Sequence, residues 1–192
     1  MYYNIYRMPV KRVHDTDVGN FSIVKAKDNQ YIREGQKTLE IQTAWLKLGK
    51  FPLPNKKFVK GLDTSITLTI PIEKDDELYT LFEKLDNFVA SQNLCPNKKQ
   101  NKFIKQRDDR IFIKLKLHLT THVFIAGNNE PISKKSIMDY YNYFKDGTEA
   151  RVIFSLGKMY EINNEYGIPI YALRVQLKEL PTNTVSFSSD TD

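Results

Sequence analysis

The sequence lacks the residues and segments on which several classes of protein depend. It contains one cysteine, Cys95, which excludes an internal disulfide and with it a disulfide-stabilised secreted scaffold. No run approaches the ~18 apolar residues of a membrane span, so no membrane partner is expected. The first residues, Met1–Arg7, have no apolar signal-peptide core, which predicts an intracellular protein that is not secreted.

Catalytic motifs are equally scarce. The sequence has no GxxxxGKS/T phosphate loop, no GxGxxG and no GxSxG. His118 and His122 fall on a predicted strand, where ~3.3 Å per residue separates them too far to share a metal ion. The sequence therefore predicts no cofactor, no metal site and no enzyme. One enzymatic alternative stays open, a small metal-dependent nuclease using the loop carboxylates of Asp15, Asp17, Asp108 and Asp109.

The composition is that of a folded, basic chain. The 192 residues are 41% hydrophobic and 27% charged, which is enough apolar material for one domain with a sizeable core. The 29 lysines and arginines outnumber the 23 acidic residues and give a net charge of +6. A basic excess of this size favours a polyanionic partner.

Strand patterns predominate in the sequence. Thr64–Ile70 alternates apolar and polar residues, and Arg110–Ile125 keeps one aliphatic face throughout, which predicts one long strand. Residues 150–162 and 168–180 have the pattern of a closing hairpin. Since strands and helices do not alternate along the chain, a doubly wound parallel sheet is disfavoured.

Two segments have helical periodicity. Apolar residues between Asp76 and Gln92 follow the i, i+3, i+4, i+7 spacing of one helix face, and Ser136–Phe144 repeats it over a shorter stretch. These elements predict a mainly β fold with two helices (α+β), an OB-like Greek-key barrel with helical insertions. Residues 1–180 form a single domain in this interpretation, with 1–20 as an arm or edge strand. Residues 181–192 are expected to be a disordered, mildly acidic tail.

The predicted strands also assign side chains to faces. On the last strand, the alternation puts Tyr171 on the same face as the apolar residues and Arg174 on the polar face. Trp45 shares the apolar face of a strand predicted over residues 39–48, which favours a position in the core. Gly157 interrupts the closing hairpin, as at a bulge or a sharp bend.

Positive charge is clustered along the chain. Two loops, 47–60 and 97–107, hold five basic residues each and no acid, and phenylalanines interrupt both. Lysine and arginine neutralise phosphates and release counterions, whereas exposed aromatic rings stack on unpaired bases. The candidate nucleic-acid-binding residues are Lys47, Lys50, Lys56, Lys57, Phe58, Lys60, Lys98, Lys99, Lys102, Phe103, Lys105, Arg107, Arg110, Phe112, Lys114, Lys116, Tyr160 and Arg174.

Phe112 is the central residue of this interpretation. It lies on the polar face of a strand whose other face is aliphatic, between Arg110 and Lys114. A phenyl ring in that position is poorly buried and well placed to stack on a base. The sequence thus predicts a basic groove with aromatic base stacking. A second alternative, from a non-enzymatic class, is a structural or interaction protein, such as a virion or scaffold component with a basic surface.

The C-terminal part of the chain, mainly residues 110–180, resembles a known family. The segments RIFIKLKL (110–117), ARVIFSLGKMY (150–160) and NEYGIPIYALRVQL (164–177) are similar to OB-fold single-stranded DNA-binding proteins of large DNA viruses and some phages. In that family a long basic strand precedes a helix-bearing insertion, and a two-strand unit closes the barrel. A Gly-Ile turn precedes the last strand and Val-Gln stands near its end, as Gly167-Ile168 and Val175-Gln176 do here.

The resemblance implies sequence-independent coating of single-stranded DNA during replication or recombination, with self-association along the strand. RNA stays open as a ligand. Family members often carry an acidic C-terminal tail that contacts replication proteins. The tail here, Val185–Asp192, has Phe187 but only two acids, which departs from that pattern. The excess of lysine over arginine is typical of AT-rich genomes, so we expect a virus or mobile element as the source, and the host cytoplasm or nucleus as the location.

Overall fold

The computed structural model describes residues 10–35, 37–49, 65–134 and 137–179. These residues contain fourteen strands, one α-helix and three short 3-10 helices. The strands are β1 (Lys11–Arg12), β2 (Phe21–Ala26), β3 (Asn29–Glu34), β4 (Ile41–Gln42), β5 (Leu46–Lys47), β6 (Ile66–Pro71), β7 (Lys99–Gln100), β8 (Lys105–Arg107), β9 (Arg110–Leu117), β10 (His122–Ile125), β11 (Glu149–Leu156), β12 (Tyr160–Ile162), β13 (Glu165–Gly167) and β14 (Ile170–Leu177). The α-helix is α1 (Glu77–Ser91), and the 3-10 helices span Val13–Asp15, Val18–Asn20 and Ile137–Asn142.

One mixed sheet of nine strands organises the chain. Its central order is β1-β4-β11-β14-β9-β6, and β5, β8 and β10 pair with β11, β9 and β14 respectively. Strand β14 runs antiparallel to β11 but parallel to β9 and β10. Smaller sheets are formed by β12-β13-β7 and by the β2-β3 hairpin. The mainly β, α+β plan predicted from the sequence is confirmed.

The core lies where α1 covers the inward face of the main sheet. The predicted apolar stripe of α1 is buried, and its Phe82 ring lies 5.6 Å from the ring of Phe154 on β11. Strands β6 and β9 bury alternate aliphatic residues, as the period-two pattern predicts. Their polar residues are therefore left on the outward face of the sheet. Among the described residues, no helix has both the length and the apolar character needed to cross a membrane.

The predicted second helix is a 3-10 helix of six residues, Ile137–Asn142. The buried Tyr140 ties this segment to the sheet, because its hydroxyl lies 2.5 Å from the carbonyl oxygen of His118 and 3.1 Å from that of Thr121. Helices this short gain little from their own hydrogen bonds and depend on such tertiary contacts. The apolar spacing in this segment therefore correctly predicted that one side is buried, but it did not distinguish a 3-10 helix from an α-helix.

The predicted single strand over 110–125 is two strands, β9 and β10, separated by a turn at residues 118–121. The hydroxyl of Thr121 accepts a hydrogen bond from the His118 N–H at 3.1 Å and donates one to the Ala172 carbonyl at 2.7 Å. Both strands pair with the same edge of β14. The aliphatic alternation continues through the turn, so periodicity alone could not show the break.

A β-bulge in β14 changes which of its side chains face outward. Ala172 and Arg174 pair with consecutive residues of β11, so Leu173 is the extra residue. The strand therefore buries both Ala172 and Val175, although they are three positions apart. Tyr171 lies on the outward face together with Arg174. The prediction that Tyr171 faces the apolar side is wrong, because the strict alternation behind it does not allow for the extra residue.

Candidate nucleic-acid interface

The outward side of the main sheet carries polar and aromatic side chains in rows that cross the strands. Residues paired in register place their side chains on the same face. We call the surface formed by these rows the outer face. Three rows cross β9, and they are Pro71–Phe112–Lys105, Thr69–Lys114 and Thr67–Lys116–Tyr171–Ser155. Two further rows cross β14, and they are His122–Arg174–Ile153–Gln42 and Phe124–Gln176–Arg151.

One end of the outer face is a basic groove, which we call the lysine groove. It encloses about 150 Å³ and is lined by Lys102, Phe103, Lys105, Lys114, Lys116 and Tyr160, together with Thr67, Asn101 and apolar residues that precede or begin β14. The sequence predicted the four lysines, Phe103 and Tyr160 as nucleic-acid-binding. Side chains from the basic loop 97–107, from β9 and from β12 thus meet in one concave surface with several cationic groups.

The electrostatics of the lysine groove suit an anionic ligand. Burial lowers the pKa of Lys105, the Asp86 carboxylate raises it, and the neighbouring positive charge of Lys114 lowers it further. A phosphate placed between the two lysines would relieve their mutual repulsion. Lys105 and Lys114 are thus neighbouring cations that a phosphate can neutralise, while the Asp86 and Glu165 carboxylates already offset part of the charge of Lys105.

Phe112 lies at the end of the lysine groove. It is half-buried on the outer face, between Pro71 of β6 and Lys105 of β8. The Lys114 Nζ atom is 5.7 Å from the centroid of its ring. The expected outward orientation is thus present, and the ring adjoins the cationic groups that would hold a phosphate.

The buried Asp86 of α1 positions the basic loop that borders the groove. Its carboxylate accepts hydrogen bonds from the backbone N–H groups of Phe103 at 2.7 Å and Ile104 at 3.1 Å. Burial raises the pKa of Asp86, and these two backbone hydrogen bonds oppose that rise. Because the loop is tied to the helix at this point, Lys102 and Lys105 are held on either side of a fixed anchor.

Phe103 belongs to that anchor and also lines the lysine groove. Its ring is 6% exposed, and its centroid lies 5.6 Å from that of Phe82 in α1. Base stacking by Phe103 stays a prediction, although its ring is almost wholly buried rather than exposed on the loop. The reason is a long-range one, since the Asp86 carboxylate draws the backbone at residue 103 against the helix and directs the ring inward.

Tyr160 is held in a defined orientation over the groove. Its hydroxyl accepts a hydrogen bond from the Asn101 side-chain amide at 2.7 Å. Its partner in register, Gly167, has no side chain, and a Cβ atom there would lie 2.9 Å from the Tyr160 hydroxyl oxygen. The glycine thus lets the ring lie across the neighbouring strand, close to the lysines.

The middle of the outer face leads from the lysine groove into a larger pocket of about 470 Å³. Lys116 lines the groove, and its register partner Tyr171 lines the pocket together with His118, His122 and Arg174. The rings of His118 and Tyr171 are 5.1 Å apart. The two concavities are therefore adjacent, with an aromatic residue at their junction.

Gly157 makes the position of Tyr171 possible. A Cβ atom at residue 157 would lie 2.3 Å from Cε2 of the Tyr171 ring, which is far inside contact distance. The N–H of Gly157 also donates to the carbonyl of Pro169 at 2.8 Å. The predicted irregularity at Gly157 is thus a close approach between β11 and the residues around β14, while the bulge lies at Leu173.

The far end of the outer face contains arginine and amide side chains. A cavity of about 330 Å³ is lined by Arg151, Arg174, Gln176 and Phe124, among others. Trp45 adjoins this end, since the guanidinium carbon of Arg151 lies 5.1 Å from its ring centroid. Sequence reasoning found only Arg174 of these residues, because the others acquire a common face through pairing of distant strands.

Trp45 is 42% exposed, so the prediction of a core position is wrong. The predicted strand over 39–48 is broken into β4 and β5. Between them, the hydroxyl of the buried Thr43 accepts a hydrogen bond from the Val152 N–H at 3.0 Å, and the Thr43 N–H donates to the Val152 carbonyl. This interruption changes the phase of the alternation and turns Trp45 outward.

The remaining predicted residues lie around the periphery. Lys98 forms an ion pair with Glu161 at 2.6 Å, and Lys99 is exposed on β7. Arg107 and Arg110 are exposed on either side of the β8–β9 turn. Lys47 lies on β5 opposite Glu149, away from the lysine groove. Outside the described residues lie Lys50, Lys56, Lys57, Phe58 and Lys60.

The acidic residues of the described part of the chain do not form a metal-binding cluster. Glu40 lines the pocket at Tyr171. Asp17 accepts a hydrogen bond from the Gly19 N–H at 2.9 Å, and Asp108 and Asp109 form the β8–β9 turn. Across residues 10–35, 37–49, 65–134 and 137–179, no three His, Cys, Asp or Glu residues are grouped to hold a metal ion.

A mixed sheet with one covering helix and a groove on its outward face gives a mainly β, α+β architecture that is consistent with an OB-like fold. The structure is similar to that of the single-stranded DNA-binding protein from bacteriophage Enc34 in complex with ssDNA, with a TM-score of 0.51 and 13% identity over 83% of this chain and 94% of that one. A second structure of the Enc34 protein has a TM-score of 0.48 and 15% identity over 88% of this chain and 98% of that one. The single-stranded DNA-binding protein gp2.5 of bacteriophage T7 has a TM-score of 0.45 and 14% identity over 80% of this chain and 97% of that one.

The likeness to the Enc34 complex extends over most of both chains and confirms the predicted resemblance at the level of the fold. No protein-family model matches the sequence, and no curated protein is detectably similar to it. The relationship is therefore visible in the arrangement of strands and not in the order of residues.

Proposed function

We propose that this protein binds single-stranded DNA, largely without regard to sequence, in replication or recombination of a phage or another virus. The observation that carries the proposal is the joining of cationic and aromatic side chains on one face. Lys105, Lys114 and Lys116 share the outer face with Phe112 and Tyr171. The fold likeness supports this function, since the Enc34 protein was determined in complex with ssDNA.

The division of labour follows from the chemistry of the side chains. The lysines would hold phosphates and release counterions. The rings of Phe112, Tyr160 and Tyr171 would stack on bases, and each stacked base contributes ~1–3 kcal/mol regardless of its identity. Because neither interaction reads a base edge, affinity would depend on the number of contacted nucleotides and on salt. The protein would act by binding and not by catalysis.

We further infer a Greek-key barrel closed between β5 and β6. The Gly49 N–H donates a hydrogen bond to the Thr69 carbonyl at 2.9 Å directly after β5, which supports closure at this point. Residues 1–180 would form this single binding domain. Self-association along DNA and contact of the tail, 181–192, with replication proteins complete the proposal.

The test is fluorescence anisotropy with a labelled dT oligomer of about 30 nucleotides and its duplex counterpart at two salt concentrations. Tight, salt-sensitive binding to the single strand with much weaker duplex binding supports the proposal. Equal binding of both forms would mean that charge alone acts and would overturn the stacking argument. No binding at low salt would leave the structural or interaction protein as the better interpretation.

A double variant, Phe112→Ala with Lys114→Ala, locates the site. We expect it to lose affinity for the single strand by at least an order of magnitude, since it removes one stacking ring and one phosphate contact (~1–3 kcal/mol for the ring alone). The matched control is Lys84→Ala, an exposed lysine on α1 and not on the outer face. Unchanged affinity in the double variant would show that the site lies elsewhere.

A further inference from the structure

The far end of the outer face differs in chemistry from the lysine groove. The chain has 22 lysines and 7 arginines, yet two of the arginines line one cavity of about 330 Å³. Four amide side chains, one aromatic ring and the aliphatic Ile153 complete its wall. We call this cavity the arginine pocket, and its principal residues are Phe124, Asn128, Asn129, Arg151, Arg174 and Gln176.

Arginine and lysine are not equivalent ligands for DNA. A lysine is a point charge, whereas the planar guanidinium presents a fixed fork of donors that can engage two acceptors at once. Amide side chains likewise pair with base edges through two groups at once, one donor and one acceptor, and they carry no net charge. In a chain dominated by lysine, the concentration of arginine and amide groups in one cavity indicates hydrogen bonding to a base.

The contacts inside the arginine pocket fix the character of its groups. The Arg151 Nη2 donates to the Gln176 Oε1 at 2.5 Å, and the Arg151 guanidinium lies against Trp45. The Asn128 Oδ1 accepts from the Glu130 N–H at 2.9 Å. The Gln176 and Asn128 side chains thus both use their amide oxygen as an acceptor within the protein. Their NH₂ groups are therefore available to donate hydrogen bonds to a ligand. Together with the Arg174 guanidinium, they make the pocket rich in donors.

A donor-rich pocket selects among the bases. The guanine Hoogsteen edge carries two adjacent acceptors, O6 and N7, and adenine places an amino donor beside N7. On their Watson–Crick edges, unpaired thymine separates its two carbonyl acceptors by the N3–H donor, and unpaired cytosine places an amino donor beside N3 and O2. Phe124 pairs in register with Gln176 and supplies a ring beside the amide. We infer that the arginine pocket holds one unpaired guanine, so that the protein binds any single strand but positions guanine preferentially here.

This inference rests on the proposed function, because the base reaches the pocket only as part of a bound strand. The competing interpretation is that Arg151 and Arg174 simply hold further phosphates. The two differ in a measurable way. Loss of a base contact reduces the preference for that base, whereas loss of a phosphate contact weakens binding to every sequence alike and lowers the salt dependence.

The experiment uses the full chain and four labelled oligonucleotides of about 12 nucleotides, within the ~4–16 nucleotides that one OB fold covers. One is all dT, and the others carry a single central dG, dA or dC. We expect the dG oligonucleotide to bind about fivefold tighter or more than the other three, the low end of what one bidentate contact gives. In Arg174→Lys and in Gln176→Ala, we expect this ratio to fall toward one.

Lys114→Ala is the matched control for the dG preference. It removes a contact in the lysine groove, so it should weaken the binding of all four oligonucleotides by the same factor and leave the preference unchanged. Equal binding of the four by the unmodified protein would overturn the inference and leave the proposed function intact. A dG preference that survives both pocket substitutions would also overturn it. Absence of binding to any of the four would overturn the proposed function and the inference with it. Circular dichroism spectra confirm that each variant is folded.

Discussion

Asp86→Ala tests how the basic loop is held against α1. The substitution removes the acceptor of the Phe103 N–H, which lies 2.7 Å from Oδ1, and of the Ile104 N–H, which lies 3.1 Å from Oδ2. Each buried donor left without a partner costs about 1–3 kcal/mol, and the higher helix propensity of alanine returns at most about 0.7 kcal/mol. We therefore expect the free energy of unfolding to fall by about 2–4 kcal/mol.

Urea denaturation followed by circular dichroism measures this change. The midpoint should fall while the slope stays the same, since the surface exposed on unfolding is little altered. Asn87→Ala is the matched control, because Asn87 is the next residue of α1 and is exposed. A loss below about 0.5 kcal/mol in Asp86→Ala, within the range of ordinary surface substitutions, would refute the view that Asp86 anchors the loop.

The pH dependence of the same difference gives an independent check. Burial raises the pKa of Asp86 above its ordinary value of 3.8, so the folded chain holds this proton more tightly than the unfolded chain. The contribution of Asp86 to stability therefore increases as the pH falls through its folded pKa toward 3.8. The stability difference between the unmodified protein and Asp86→Ala should widen on going from neutral pH into that range. A narrowing difference would mean that the backbone hydrogen bonds outweigh the effect of burial.

Three further predictions concern binding. Gly157→Ala should displace the Tyr171 ring, because the alanine Cβ would lie 2.3 Å from that ring. The affinity for a dT oligomer should then fall about as much as it does in Tyr171→Ala. Unequal losses of affinity in an anisotropy titration would contradict this prediction. Lys116→Ala should lower the magnitude of the log–log salt slope by ~0.7 if its charge contacts one phosphate, and an unchanged slope would exclude that contact. Trp45 is the single tryptophan and is 42% exposed beside Arg151. Its fluorescence should therefore change when single-stranded DNA binds at this end of the outer face. Constant emission at saturating DNA would show that the bound DNA does not reach Trp45.

Local patterns in the sequence determined the elements whose burial is regular. The stripe of α1 follows from the 3.6-residue period, and the outward position of Lys114 and Lys116 follows from the two-residue period of β9, because neither element is interrupted. The basic loop 97–107 and the strand 110–117 are also close in sequence, joined by a short turn. The four lysines of the lysine groove could therefore be named from the sequence alone.

Only the tertiary structure decided where regular patterns break and which distant strands meet. Tyr171 reaches the outer face because one extra residue at Leu173 shifts the phase of β14, and Gly157 leaves space for its ring. Phe103 turns inward because a carboxylate on a separate helix binds its backbone. The arginine pocket exists because three strands, β10, β14 and β11, align Phe124, Gln176 and Arg151 in one row. Such features arise from pairing and contacts between residues far apart in the chain, whereas sequence periodicity reports only the environment along a single element.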